Sequence, residues 1–169
     1  NASSVHSFGR RAHAQIEDAR EKLGALLDAR AENVVFTSGA TEALHIVLDS
    51  FEAERPPPVP DGEEVQPQIP PPSLIVSAVE HDAVYEHVKR RSPLRAPVLS
   101  DGAVDLGVLE AVLREAPKPA LLALQLANNE TGIIQPIAKV AALCRQHGAL
   151  LLVDAAQAFG RMPVSIADL

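Results

Sequence analysis

Three short runs made almost wholly of aliphatic residues, Leu74-Ile75-Val76, Ala120 to Leu126 and Leu150 to Val153, recur between stretches of helical periodicity. That alternation restricts the chain more than any other feature. A strand with apolar side chains on both faces must be covered on both faces, whereas a strand with one wet face alternates apolar and polar residues. Strands of this kind separated by helices run parallel, because each crossover returns the chain to the same end of the sheet. The expected fold is therefore α/β, a mostly parallel sheet with helices on both faces.

The helical segments are legible from spacing and punctuation. Ile16, Ala19, Leu23 and Leu26 predict an amphipathic helix over roughly residues 10 to 27. Val34 to Thr37 reads as a strand that turns through Ser38-Gly39-Ala40-Thr41-Glu42 into a helix carrying Leu44, Val47, Leu48 and Phe51. Asp82 to Lys89 predicts another helix, and Pro97-Val98-Leu99 a short strand. Asp105 is placed to cap a helix bearing Leu106, Leu109 and Leu113, which Pro117 and Pro119 end. Pro136 and Gly148 frame one more. Residues 52 to 73 hold eight of the fourteen prolines and an acidic cluster, so they read as a solvent-exposed insertion loop.

Composition narrows the function classes. Across 169 residues the net charge is -7, which argues against a nucleic-acid surface, and no apolar stretch has the length of a membrane span. The single cysteine, Cys144, excludes an internal disulfide framework and fits a reducing compartment, with the cytoplasm as default. It falls in step with Ile137, Val140 and Ala141 and reads as a small buried residue. The chain starts at Asn1 without Met and stops just after a strand-like element, so it reads as a segment of a longer protein.

Ligands of open parallel sheets bind beyond the carboxyl ends of the strands. There the sequence places Ser38-Gly39-Ala40-Thr41, then Glu80 and His81, then Asn128 and Asn129, then Asp154 and Gln157. The first group serves equally as a helix start or as a phosphate site built on free N–H groups. His81 fits a helix start, or a ring stacked on a planar ligand, and Asn128 to Gly132 fits a plain turn. Asp154 is different, since a carboxylate that closes an aliphatic strand is costly without a partner. Pyridoxal phosphate uses all these groups: it has a phosphate, a flat ring, a phenolate oxygen and a ring nitrogen that a nearby carboxylate keeps protonated. Neither a G-x-G-x-x-G nor a P-loop fingerprint is present.

At this point the sequence resembles the class V aminotransferase family of fold-type-I pyridoxal-phosphate enzymes, and within it the cysteine desulfurases. The matching segments are Ala2 to Arg10, Val35 to Glu42, Glu80-His81, Asn128-Asn129-Glu130-Thr131-Gly132 and Val153 to Gln157, in the family's order. The resemblance implies that residues 1–169 are part of the cofactor-binding large domain, an α/β/α sandwich, with residues 52–73 inserted. It implies that Ala40 and Thr41 hold the phosphate, and that His81 stacks on the ring and assists proton transfer. Asp154 would pair with the ring nitrogen, Gln157 would donate to the phenolate oxygen, and Asn129 would help hold the substrate carboxylate. No metal ligands are implied.

The activity implied is desulfuration of L-cysteine to L-alanine plus an enzyme persulfide, supplying sulfur for iron–sulfur clusters or thio-cofactors. Family likeness also implies a homodimer and a sulfur-acceptor or scaffold protein. Two parts of the pattern are missing. The cofactor-binding lysine of a Ser-x-His-Lys-type run would follow the Asp-x-x-Gln motif, and the sulfur-accepting cysteine would come later still. Lys22, Lys89, Lys118 and Lys139 lie on polar helix faces or in a turn and do not substitute for that lysine, so the segment alone is expected to be inactive. The alternatives are a relative acting on another amino acid, such as a selenocysteine lyase, or a non-catalytic remnant serving as an interaction module.

Overall fold

The computed structural model describes residues 1–53 and 72–167, so nearly all of the predicted proline-rich loop lies outside the described residues. The chain divides into two compact units, residues 1–36 with 162–169, and residues 37–161. In the first, helix α1 (Ser7–Leu26) is capped by His6, whose ring accepts the Gly9 N–H at 3.1 Å. Gly9 is required there, because an added Cβ would stand 2.1 Å from the Ser4 carbonyl oxygen. A 3-10 turn (Ala31–Asn33) follows, and the Arg20 guanidinium lies 5.1 Å from the centre of the Phe36 ring and donates to the Val34 carbonyl.

The second unit carries α2 (Ala40–Ala53), β1 (Ser73–Ser77), α3 (Asp82–Val88), β2 (Leu94–Ala96), α4 (Leu106–Glu115), β3 (Ala120–Gln125), α5 (Ile137–Gln146) and β4 (Ala149–Asp154). Among the described residues its four strands are all parallel, in the order β2-β1-β3-β4. Side chains on a strand alternate between faces, and the two apolar cores follow that alternation. Ile75, Leu122 and Leu124 face Leu109 and Leu113 of α4 and Val140 and Cys144 of α5. Leu74, Val76, Leu121 and Ala123 face Leu44, Leu48 and Phe51 of α2 and Val84 and Val88 of α3. Both faces of the sheet are thus covered, which is why its central strands read as unbroken apolar runs.

Chain direction reverses at the centre of the sheet. From β1 the chain crosses outward through α3 to β2; it then returns past β1 through α4 to β3, and continues through α5 to β4. The outward crossover lies on one face and the two return crossovers on the other, as a constant crossover hand requires. Between β1 and β3 the two directions part. A crevice opens at such a point beyond the strand ends.

Two elements differ from the sequence reading. Val34 to Thr37 is not a strand: Val34 is extended, with φ -87° and ψ 121°, but the segment pairs with no strand among the described residues. Apolar β-formers alone do not make a strand, since the ladder needs a neighbour's N–H and C=O groups. The short strand forms at Leu94–Ala96 rather than Pro97 to Leu99, because its ladder partner β1 ends at Ser77, opposite Ala96, and offers no further strand backbone to pair with. Val98 instead makes one antiparallel bridge with Val104.

Candidate active site

Beyond the carboxyl ends of β1, β3 and β4 lies a pocket of about 220 Å³ lined by Ala40, Thr41, Leu44, His81, Ala83, Gln125, Asn129, Asp154, Ala156 and Gln157. All six residues singled out for the cofactor and substrate, Ala40, Thr41, His81, Asn129, Asp154 and Gln157, border this one space. They come from four separated chain segments.

Ala40 and Thr41 open α2 and are solvent-exposed. Gly39 ends the turn with its carbonyl accepting the Ala43 N–H at 3.1 Å, and the Ala40 and Thr41 N–H groups meet no acceptor among the described residues. Glu42 reaches back to the Ser38 N–H at 2.6 Å, a bond that holds its carboxyl below the usual range. An added Cβ at Gly39 would meet nothing within 4 Å, so open space adjoins these donors. Free N–H groups at the positive end of a helix dipole suit an anion such as phosphate.

His81 caps α3: its Nδ1 accepts the Ala83 N–H at 3.0 Å. An accepting Nδ1 leaves the proton of the neutral ring on Nε2. The helix-start role and the pocket-lining role thus coexist, because the cap uses one ring nitrogen and leaves the ring exposed.

Asp154 is the last residue of β4 and only 8% exposed. Its Oδ1 accepts the Ala156 N–H at 2.9 Å, and among the described residues no Lys, Arg or His pairs with it. Such a carboxylate is matched to a cationic ligand group. Gln157 sits in the turn that follows, exposed, where the Phe159 N–H bonds back to the Ala155 carbonyl at 2.9 Å.

Two site residues went unassigned from sequence. Gln125, 3% exposed, is the register partner of Asp154, and its side chain bridges Asn128 and Asn129 at 3.3 Å each. Its signal was present, since it is the one polar residue inside the otherwise apolar run of β3. Glu80 accepts the Gln125 N–H at 2.7 Å through Oε1, while its Oε2 is buried and meets no hydrogen-bond partner among the described residues. Burial, with the neighbouring Asp154 charge adding to it, pushes the Glu80 carboxyl up to about 7.

Fold and site together define an open α/β domain whose strand-end pocket offers anion donors at a helix start together with a buried carboxylate that no Lys, Arg or His pairs with among the described residues. The chain belongs to the aminotransferase class-V family, whose model matches residues 1–169. It is 35% identical over 176 aligned residues to cysteine desulfurase IscS of Dechloromonas aromatica, covering 99% of this chain and 40% of that protein. Similarity to the cysteine desulfurase of Enterobacter agglomerans is 36%, over 98% and 39% of the two chains. Among solved structures, a NifS-like protein from Rickettsia africae superposes with a TM-score of 0.82 at 28% identity, over 99% of this chain and 43% of that one. DndA from Streptomyces lividans superposes with a TM-score of 0.72 at 33% identity, over 99% and 44%. This chain therefore spans about 40% of the length of the curated relatives it matches. No helix among the described residues is long and apolar enough to cross a membrane.

Proposed function

We propose that the parent protein is a pyridoxal-phosphate-dependent cysteine desulfurase that converts L-cysteine to L-alanine and passes the sulfur to a cysteine as a persulfide. The reading is carried by the convergence of the α2 start, His81, Gln157 and the uncompensated Asp154 carboxylate on one pocket. The donor set fits the cofactor: Ala40 and Thr41 for the phosphate, His81 for the ring face, Asp154 for a protonated ring nitrogen and Gln157 for the phenolate oxygen. When bound, this cofactor supplies an electron sink for carbanion chemistry at the substrate's α-carbon.

The chain's own residues then have separate roles. Asp154, buried and fixed by the Ala156 N–H, favours a proton on the group it faces by charge pairing. His81, with Nδ1 committed to its cap, presents Nε2 for proton transfer beside the substrate. Leu44 and Ala83 add apolar surface to the pocket lining. Cys144 is unsuited as sulfur acceptor, because it is 2% exposed and burial pushes its thiol up to about 11. The cofactor-binding lysine and the accepting cysteine belong, on this reading, to other parts of a homodimeric parent that meets a sulfur-acceptor protein in a reducing compartment.

The test is cysteine-dependent sulfide release by the full-length protein loaded with pyridoxal phosphate and supplied with a thiol reductant. Asp154→Ala is expected to lower turnover roughly a hundredfold or more, the scale set by removing a buried charge from its partner. Turnover in that variant at the wild-type rate refutes the assignment.

A further inference from the structure

The orientation of the Asn129 carboxamide is determined by a chain of amides that begins outside the pocket. Asn128 Oδ1 accepts two backbone N–H groups, from Glu130 at 2.9 Å and Thr131 at 2.8 Å. Its Nδ2 donates to the Val79 carbonyl at 3.1 Å. Backbone N–H groups can only donate and carbonyls can only accept, so Asn128 has one permitted orientation. The same Nδ2 donates to Gln125 Oε1 at 3.3 Å, which leaves Gln125 Nε2 to donate to Asn129 Oδ1, also at 3.3 Å.

The direction of each bond therefore follows from the one before. Gln125 is firmly held in this relay, since it is 3% exposed and its backbone N–H is anchored by Glu80. With Oδ1 of Asn129 satisfied, its Nδ2 makes no hydrogen bond among the described residues, and Asn129 lines the pocket. A carboxamide free to rotate could show the pocket either its acceptor or its donor. This relay selects the donor.

We propose that Gln125 and Asn128 are positioning residues that lock the Asn129 carboxamide with its NH2 group toward the pocket, making it a dedicated donor for the carboxylate of an amino-acid ligand. The inference rests on the amino-acid reading of the site given above. Its chemical content is selectivity: a fixed donor favours ligands that carry a carboxylate over amines that lack one, because an accepting oxygen in its place would repel the anion.

The experiment measures binding of L-alanine and of ethylamine to the cofactor-loaded full-length protein by calorimetry. Gln125→Met keeps the volume and removes both side-chain hydrogen bonds. Asn128→Asp keeps the oxygen that the Glu130 and Thr131 N–H groups require, but it replaces the donor facing Gln125 with an acceptor and so reverses the relay. Both variants are expected to weaken L-alanine about ten- to hundredfold, the span of one charge-assisted hydrogen bond, with ethylamine unchanged. A wild-type preference for L-alanine that survives in both variants, or equal weakening of both ligands, overturns the relay. A wild-type protein that binds L-alanine no better than ethylamine overturns the amino-acid reading itself, and the inference with it.

Discussion

Glu80 makes the protein's stability depend on pH in a direction opposite to that of an ordinary salt-bridged carboxylate. Its Oε1 holds the Gln125 N–H, its Oε2 is buried with no hydrogen-bond partner among the described residues, and Asp154 lies close enough to repel a second negative charge. Burial first, and Asp154 second, raise its pKa from 4.5 to about 7. An acid whose folded pKa exceeds its unfolded value gives the folded state an extra proton between those two values. The stability linked to that proton is fully present below pH 4.5 and is lost as pH rises through 7. At 1.36 kcal/mol per pH unit, the loss amounts to about 3 kcal/mol.

Glu80→Gln isolates this effect, because the amide keeps an oxygen for the Gln125 N–H and carries no charge. The assay is urea unfolding of the cofactor-free full-length protein at a series of pH values, for wild type and variant. The variant is expected to match the wild type near pH 4.5 and to be more stable by about 3 kcal/mol at pH 8.5. A stability difference that stays flat between those limits refutes the argument that Glu80 holds a proton in the folded state.

Two further outcomes test the packing. Leu122 is fully buried on the α4/α5 side of the sheet, so Leu122→Ala should cost about 2–5 kcal/mol in equilibrium unfolding, and a loss below about 1 kcal/mol would refute a tightly packed core there. Cys144, 2% exposed with its thiol pushed up to about 11, should resist a maleimide reagent at pH 7.5 in folded protein and react once urea unfolds it; rapid native labelling of this residue, located by peptide mass mapping, would contradict its burial.

Much of the site was legible in the sequence, for a physical reason. In a parallel α/β sheet each strand's carboxyl end points to the same side, so polar residues following the strands converge without knowledge of the packing. Asp154, His81 and the Asn128-Asn129 pair stand out that way, and Asp154, His81 and Asn129 line one pocket. Val34 to Thr37 shows the limit, because a strand exists only where another strand supplies its hydrogen bonds, and local sequence does not say which segments will be neighbours. Glu80 shows another limit: the sequence places it at a strand end, but its proton depends on depth below the surface and on Asp154, which lies 74 positions along the chain.

The sequence by itself determined the parallel sheet, its two covered faces, the order of the helices and the polar groups that follow β1, β3 and β4, since all of these follow from local periodicity, caps and breakers. Only the tertiary structure decided that Gln125 stands between Asp154 and Asn129, and that Asn128 sets the direction of the amide relay. Such bonds depend on strand register and on which loops meet above it. Register is a relation between distant segments, and hydrogen-bond direction is a relation between partners; neither is a property of a residue in its own stretch of chain.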